Sequence, residues 1–317
     1  MIRSKMTCAL FYIATFAMTY AVAAEDLVKV AVPQRGTWDT SVPELGQRGG
    51  IFKKYGITVE ILYTQAGPEA IQSVIAGSMD IATASGAAAA IGTYAKGAPI
   101  RLIGSEIIGA PDLYWYVLPN SPVKAIADIN GKTIGYSQAG SSSHTGLLEL
   151  IKQYNLNATP VSLGGVQASF TQAMTGQVDV GWSAAPFGLE AVADGKIRIV
   201  ARGSDVFVLK DRTARVNLTS VQMLEQRKDV IVRFMRAYRE IIDWMYSDPK
   251  SLALYREFSG LPDSVVQQVR GFIPKESMSP DRIAGIDSII AEAVKNKFLA
   301  APLTPDQIRE MIQIPPR

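Results

Sequence analysis

An α/β protein of two lobes with a helical tail is what the sequence predicts, and three features predict it. Short apolar runs alternate with helical stretches from Val28 to Ile107 and again from Lys132 to Ala201, which implies βαβ units on a mostly parallel sheet. Between the two series stand an aromatic run, Leu113 to Leu118, and a Pro119-Asn120-Ser121-Pro122 break. After Val206 the pattern turns almost wholly helical, and such a tail needs a sheet to pack on. The expected division is residues 25–118 plus 206–317 for a discontinuous first lobe and 119–205 for the second, with two crossings between them.

In order, Val28 to Val32 reads as a buried strand closed by Pro33, and Pro43 to Tyr55 as a helix interrupted by Gly49-Gly50. Ile57 to Tyr63 is a strand, Pro68 to Ala76 a helix, Met79 to Ala84 a strand, Gly86 to Lys96 an Ala-rich helix and Ile100 to Ile107 a strand. The aromatic run containing Tyr114-Trp115-Tyr116 is expected to pack in a core near the hinge. The second series is strand Lys132–Tyr136, helix Ser141–Tyr154, strand Thr159–Leu163, helix Gln167–Met174, strand Val178–Trp182 and strand Lys196–Ala201. One more strand, Arg215–Leu218, precedes helices over Arg227–Tyr246, Pro249–Phe258, Pro262–Gly271, Ser279–Lys297 and Thr304–Ile312. Pro249, Pro262 and Pro305 stand at or near helix starts, where a missing N–H costs nothing.

Ile75-Ala76-Gly77-Ser78-Met79-Asp80-Ile81-Ala82 is echoed by Met174-Thr175-Gly176-Gln177-Val178-Asp179-Val180-Gly181. Each copy places a helix-stopping Gly three residues before an Asp that opens a buried strand, which points to a duplicated unit. Gly-x-x-Asp is also a common turn composition between helix and strand.

Residues 1–24 read as a cleaved export signal: Arg3 and Lys5, an apolar run from Cys8 to Val22, then Ala21-Val22-Ala23-Ala24 before Glu25-Asp26. The run falls short of the roughly 20 apolar residues that a membrane span requires. The single cysteine, Cys8, lies inside this segment, so the exported chain is expected to carry no thiol, disulfide or cysteine metal site. Without Arg3 and Lys5 the chain has 30 basic residues against 29 acidic ones and no basic block. That leaves no electrostatic footprint for nucleic acid or an anionic membrane surface. With 48% hydrophobic and 19% charged residues it can bury two cores unaided.

Gly77-Ser78-Met79-Asp80-Ile81-Ala82, Tyr94-Ala95-Lys96-Gly97-Ala98-Pro99-Ile100, Ile126 to Gly135, Gly176 to Val180 and Arg236-Ala237-Tyr238 together resemble a known family, over about Val28 to Tyr246. It is that of the periplasmic substrate-binding proteins of nitrate, taurine, alkanesulfonate and thiamine-precursor ABC importers. The resemblance implies a type II periplasmic-binding fold, two lobes that close on a small-molecule ligand, periplasmic localisation, and an ABC permease with its ATPase as partner. A monomer without cofactor is expected. Where family members often carry an acidic residue before proline, this chain has Gly181-Trp182-Ser183-Ala184-Ala185-Pro186-Phe187, so ligand identity does not transfer from the members that keep it.

Ligands of open parallel sheets sit at the carboxyl ends of strands. The candidates there are Arg35, Thr37 and Trp38; Gln65 and Gly67; Ser85 and Gly86; Gln138 and Gly140 to His144; Gly165; and Trp182 and Pro186. Ser141-Ser142-Ser143 exceeds what one helix cap needs, and a hydroxyl-rich helix start suits a carboxylate or sulfonate. Ser85-Gly86 is its counterpart in the first lobe. Micromolar binding is about 8 kcal/mol, while a helix terminus gives an anion roughly 0.3–2 kcal/mol, so other contacts must supply most of the affinity. Trp38 and Trp182 can stack on an organic part or pack in a core, and Arg35 can neutralise a ligand charge or stay solvated. His144, the only histidine, lacks the partners of a metal site and the setting of a hydrolase elbow. Two other functions fit the same fold: a sensor that shows its closed form to a membrane receptor, and a pyrimidine-precursor synthase-like enzyme, whose relatives depend on histidine and cysteine chemistry.

Overall fold

The computed structural model describes residues 25–317, so the expected export signal and Cys8 lie outside the described residues. Among the described residues ten strands are present: β1 (Asp26–Pro33), β2 (Ile57–Thr64), β3 (Ile81–Gly86), β4 (Ile100–Ile108), β5 (Leu113–Val117), β6 (Thr133–Tyr136), β7 (Thr159–Ser162), β8 (Gly181–Ala184), β9 (Arg198–Arg202) and β10 (Thr213–Ser220). The first lobe is a five-stranded sheet in the order β2-β1-β3-β10-β4. β1 runs parallel to β2 and β3, while β10 enters antiparallel between β3 and β4.

Side chains alternate across this sheet and feed two cores. Val28, Val30, Val32, Ile81, Ile103 and Ile107 face one, and Ala31, Ala82, Leu102 and Leu218 the other. Val230, Ile231, Phe234, Tyr238, Ile241 and Met245 of the helix Lys228–Ser247 cover the first face at helical spacing. The helices Gly67–Ile75, Ala87–Ala95 and Ile286–Lys295 cover the second. Burying each Val or Ile is worth about 1.5–3 kcal/mol, so the tail is part of the first lobe's core. Ile312 even bridges to Leu102 of β4.

The second lobe is built differently from the mostly parallel sheet that alternation implied. β5 is the centre of a three-stranded antiparallel sheet, β8-β5-β9, and β6 and β7 form a parallel pair joined to it through an Ile134–Val180 bridge. Tyr114, Trp115 and Tyr116 are buried at its heart, as expected of a core strand. The expected boundaries after Leu118 and at Val206 therefore fall inside the second lobe, because β5 pairs there and Val206 and Leu209 pack into its core. The two crossings touch where Gly109 donates to the Arg212 carbonyl at 2.8 Å.

Smaller departures have local causes. β8 begins at Gly181 and not at Val178, since Val180 makes only the bridge to β6. The helix expected from Ser279 starts at Ile286, because Gly285 holds φ +67°. The stretch Pro262–Gly271 splits into Asp263–Val266 and Val269–Phe272, and a short helix at Leu189–Ala193 went unpredicted. The internal echo is geometric as well as textual. Asp80 accepts the N–H of Lys29 on β1 and Asp179 accepts the N–H of Thr133 on β6, both at 2.8 Å.

Candidate functional site

Three helix starts converge between the lobes. The helix Ser142–Gln153 is capped by Ser141, whose hydroxyl accepts the N–H of His144 at 3.2 Å. The helices Gly67–Ile75 and Ala87–Ala95 begin without a side-chain cap. Glycine permits the approach: a Cβ on Gly86 would stand 2.6 Å from the Gly140 carbonyl oxygen, and one on Gly67 2.9 Å from the Gly86 nitrogen. Among these starts lies a cavity of about 40 Å³, lined by Gln34, Thr37, Gly67 and Gly86 from the first lobe and by Ser137, Ser141, Ser142, Ser143 and Trp182 from the second. Asp112 and Arg215, beside the crossings, complete its lining. That volume holds a few waters, so an organic ligand enters only as the lobes part.

The floor is a buried charge cluster. Arg215 donates from Nη1 to Asp39 at 2.5 Å, from Nη2 to Asp112 at 2.6 Å and from Nε to the Ser142 hydroxyl at 3.0 Å. The last of these ties the first lobe to the second. Burial alone would lower the Arg215 pKa, but Asp112 and then Asp39 hold it above its ordinary value. Burial raises the Asp112 carboxyl against the pull of Arg215. Behind them Glu106 is pushed up to about 8 by burial and then by Asp39, although Tyr238 and Asn217 act against the shift.

The structure sorts the sequence candidates into three groups. Thr37, Gly67, Gly86, Ser141, Ser142, Ser143 and Trp182 line the cavity. Gln138, Gly140, Gln65 and Gly165 meet across the rim: Gln138 donates to Glu69, Gly140 abuts Ala89, and the Gln65 Oε1 lies 2.7 Å from where Gly165 would carry a Cβ. Five others point elsewhere. Trp38 is wholly buried edge-on between Tyr246 and Tyr255 at 5.9 and 5.0 Å, so it packs in the first core. Arg35 lies on the Phe258 ring at 4.4 Å and donates to its carbonyl. Ser85 is buried within the sheet, with the Thr83 carbonyl at 3.4 Å from its hydroxyl. Pro186 is buried in the turn after β8, off the cavity lining.

His144, the fifth, lies off the cavity lining. Its ring stacks on Tyr136 at 4.1 Å, its Nδ1 accepts the Gly140 N–H, and burial pushes its pKa down to about 4. Sequence reasoning missed Arg215, Asp39 and Asp112. The signal was an arginine inside a strand, Thr213–Ser220, whose neighbours Val216 and Leu218 are buried, since a charge buried there requires partners. Among the described residues no group of three or more His, Cys, Asp or Glu side chains is placed to hold a metal ion.

Comparison with known proteins agrees with this architecture. The putative aliphatic sulfonates-binding protein of Escherichia coli K12 is 27% identical over 221 residues, which span 68% of this chain and 66% of that protein. The alkanesulfonate-binding protein SsuA of Xanthomonas axonopodis pv. citri, solved bound to MOPS, superposes with a TM-score of 0.76 at 21% identity, covering 92% of this chain and all of that one. The periplasmic nitrate-binding protein NrtA of Synechocystis PCC 6803 gives 0.71 at 12% identity, over 91% and 86% of the two chains. These solved proteins share the fold, and they are ligand-binding proteins. The family described as NMT1/THI5 like matches residues 45–252, more than half of the sequence, and the chain belongs to it.

Proposed function

We propose that this chain is the periplasmic solute-binding component of an ABC importer, which captures a small organic acid of the sulfonate or carboxylate type and delivers it to a permease driven by its ATPase. One observation carries the reading: a single cavity draws its lining from both lobes, with Ser142 of one bonded to Arg215 of the other. A ligand closes a hinged protein only if it binds the closed arrangement better than the open one, and contacts from both walls supply that difference. The free N–H groups at the Ser142 and Ala87 helix starts suit an oxyanion, and Trp182 offers a face to an organic tail. The sulfonate-binding relative supports the same ligand class.

A thermal-shift screen of alkanesulfonates, carboxylates and nitrate on the exported chain, followed by calorimetry, tests it. An organic acid should raise the melting temperature, and Ser142→Asp should weaken its binding at least tenfold by setting a carboxylate against it. Binding unchanged in Ser142→Asp, or no response to any acid, overturns the reading.

A further inference from the structure

Two residues of the cavity wall hold a backbone conformation that L side chains rarely adopt. Among the described residues four other than glycine have positive φ: Gln34, Ala84, Asn155 and Lys297. Asn155 and Lys297 directly follow the C-caps of the helices Ser142–Gln153 and Ile286–Lys295, where a left-handed residue is a usual stop. Gln34 and Ala84 end no helix, and both line the cavity from the first lobe. Gln34, at φ +61°, is fixed from three sides. Its N–H donates to the Thr64 carbonyl at 3.0 Å, its Nε2 to the Gln65 carbonyl at 2.5 Å, and its own carbonyl accepts the Thr40 hydroxyl at 2.7 Å.

Ala84, at φ +49°, lies inside β3 and depends on one side chain from a distant strand. β10 pairs Leu218 with Ala82 and Val216 with Ser85, so Thr83 and Ala84 together face Asn217 alone. That is a β-bulge, which frees a backbone group from the ladder and re-aims the chain beyond it. The Oδ1 of Asn217, a wholly buried residue off the cavity lining, accepts the Ala84 N–H at 3.0 Å. Two residues on, Gly86 opens the helix Ala87–Ala95 and makes the close approach to Gly140 and Ser141 of the other lobe. Strain of this kind persists only where its surroundings over-determine it. Resting on the solute-capture reading, we infer that Asn217 is a positioning residue for capture: it holds Ala84 in the left-handed region and thereby sets where the first lobe's helix start meets the guest. Without that acceptor Ala84 falls back to negative φ and draws the helix start off the second lobe's wall.

A double-variant cycle on the exported chain separates positioning from plain core stability, with ethanesulfonate, butane-1-sulfonate and benzoate as calorimetric probes. Asn217→Ala should weaken whichever probe the wild-type chain binds by roughly ten-fold or more. Glycine takes positive φ without help, so adding Ala84→Gly should return the affinity to within about threefold of wild type. The melting temperature of the double variant should stay below wild type, because the buried amide is still lost. Binding unchanged in Asn217→Ala, or weak binding that Ala84→Gly does not restore, overturns the inference. Ala84→Gly alone should melt at or above wild type, whereas glycine inside an ordinary strand lowers the melting temperature. A lower value shows that Ala84 carries no strain and overturns the inference too. That measurement requires neither a ligand nor the Asn217 variant, so it decides the matter if Asn217→Ala does not fold. If no probe and no other acid of the screen binds the wild-type chain, the organic-acid reading fails, while the melting of Ala84→Gly still upholds or overturns the strained wall.

Discussion

Glu106 is the residue whose chemistry departs furthest from what its position in the chain suggests. It sits in β4, fully buried, accepts a hydrogen bond from the Tyr238 hydroxyl, and is pushed up to about 8 from an ordinary 4.5. An acid whose pKa is raised by folding keeps its proton in the native state after the unfolded chain has released it. Stability is therefore lost as pH rises from about 4.5 to about 8 and levels off above that. A tenfold change in proton affinity between the two states is worth about 1.4 kcal/mol, so the effect is measurable by urea unfolding. Glu106→Gln, which keeps the shape and removes the titrating proton, should flatten the slope over that window and gain most at pH 8. A wild-type slope that Glu106→Gln leaves unchanged over that window would show that Glu106 is ionised in the native state, since other shifted groups such as His144 titrate there in both proteins. The same logic of burial explains the candidates that lie off the cavity lining. Trp38, Arg35 and Ser85 are of the right type at the right strand ends, but whether a side chain points to the cleft or to the core depends on what packs behind it.

At the level of elements, the helix starts at Gly67, Ala87 and Ser142 do the positioning, and Gly86 sets how near the two lobes come. Its backbone φ is −56°, so alanine there is not strained in conformation. The obstacle is the Gly140 carbonyl of the other lobe, 2.6 Å from the added Cβ. Overpacking of this kind costs about 1–3 kcal/mol, and here it falls on the closed arrangement alone. Gly86→Ala should thus weaken ligand binding by roughly five-fold to a hundred-fold, while the ligand-free melting temperature stays within about 2 °C of wild type. Calorimetry and thermal unfolding check the two halves, and a large loss of ligand-free stability would mean that the lobes never separate at this point. Elements of this kind were well read from sequence. The split of the helix at Gly49-Gly50 is observed as Val42–Arg48 and Ile51–Lys54, with Gly50 at φ +72°, because a glycine pair stops a helix by local physics.

Over the whole molecule, the lobes also meet at a second charged cluster, away from the cavity. Glu149 of the helix Ser142–Gln153 faces Glu292 of the helix Ile286–Lys295, with Lys152 at 2.6 Å from Glu292 and Arg212 at 3.9 Å from Glu149. Burial, then the Glu292 carboxylate, pushes Glu149 up to about 7. Opening the lobes hydrates it, so the closed arrangement holds its proton more tightly and loses its advantage as pH rises from about 4.5 to about 7. Small-angle scattering of the ligand-free chain should show the radius of gyration increasing across that range and reaching a plateau above it. Glu149→Gln should remain compact throughout. A radius independent of pH in the wild type would mean that this contact does not govern opening.

Most of the architecture was legible without coordinates. Strand and helix positions follow from apolar periodicity and from Gly and Pro punctuation, which act between near neighbours in the chain. Ser141 to Ser143, the cap and first two residues of the helix Ser142–Gln153, announced a helix start facing the cleft for the same reason. What folding alone decided involves partners far apart in sequence. β10 slots antiparallel between β3 and β4, β5 joins the second lobe, and Arg215 gathers Asp39, Asp112 and Ser142 from separate segments into one buried cluster. No local pattern encodes such a meeting, because the cost of burying these charges is offset only by their attraction and hydrogen bonds to one another, and only the closed packing of both lobes brings them within reach.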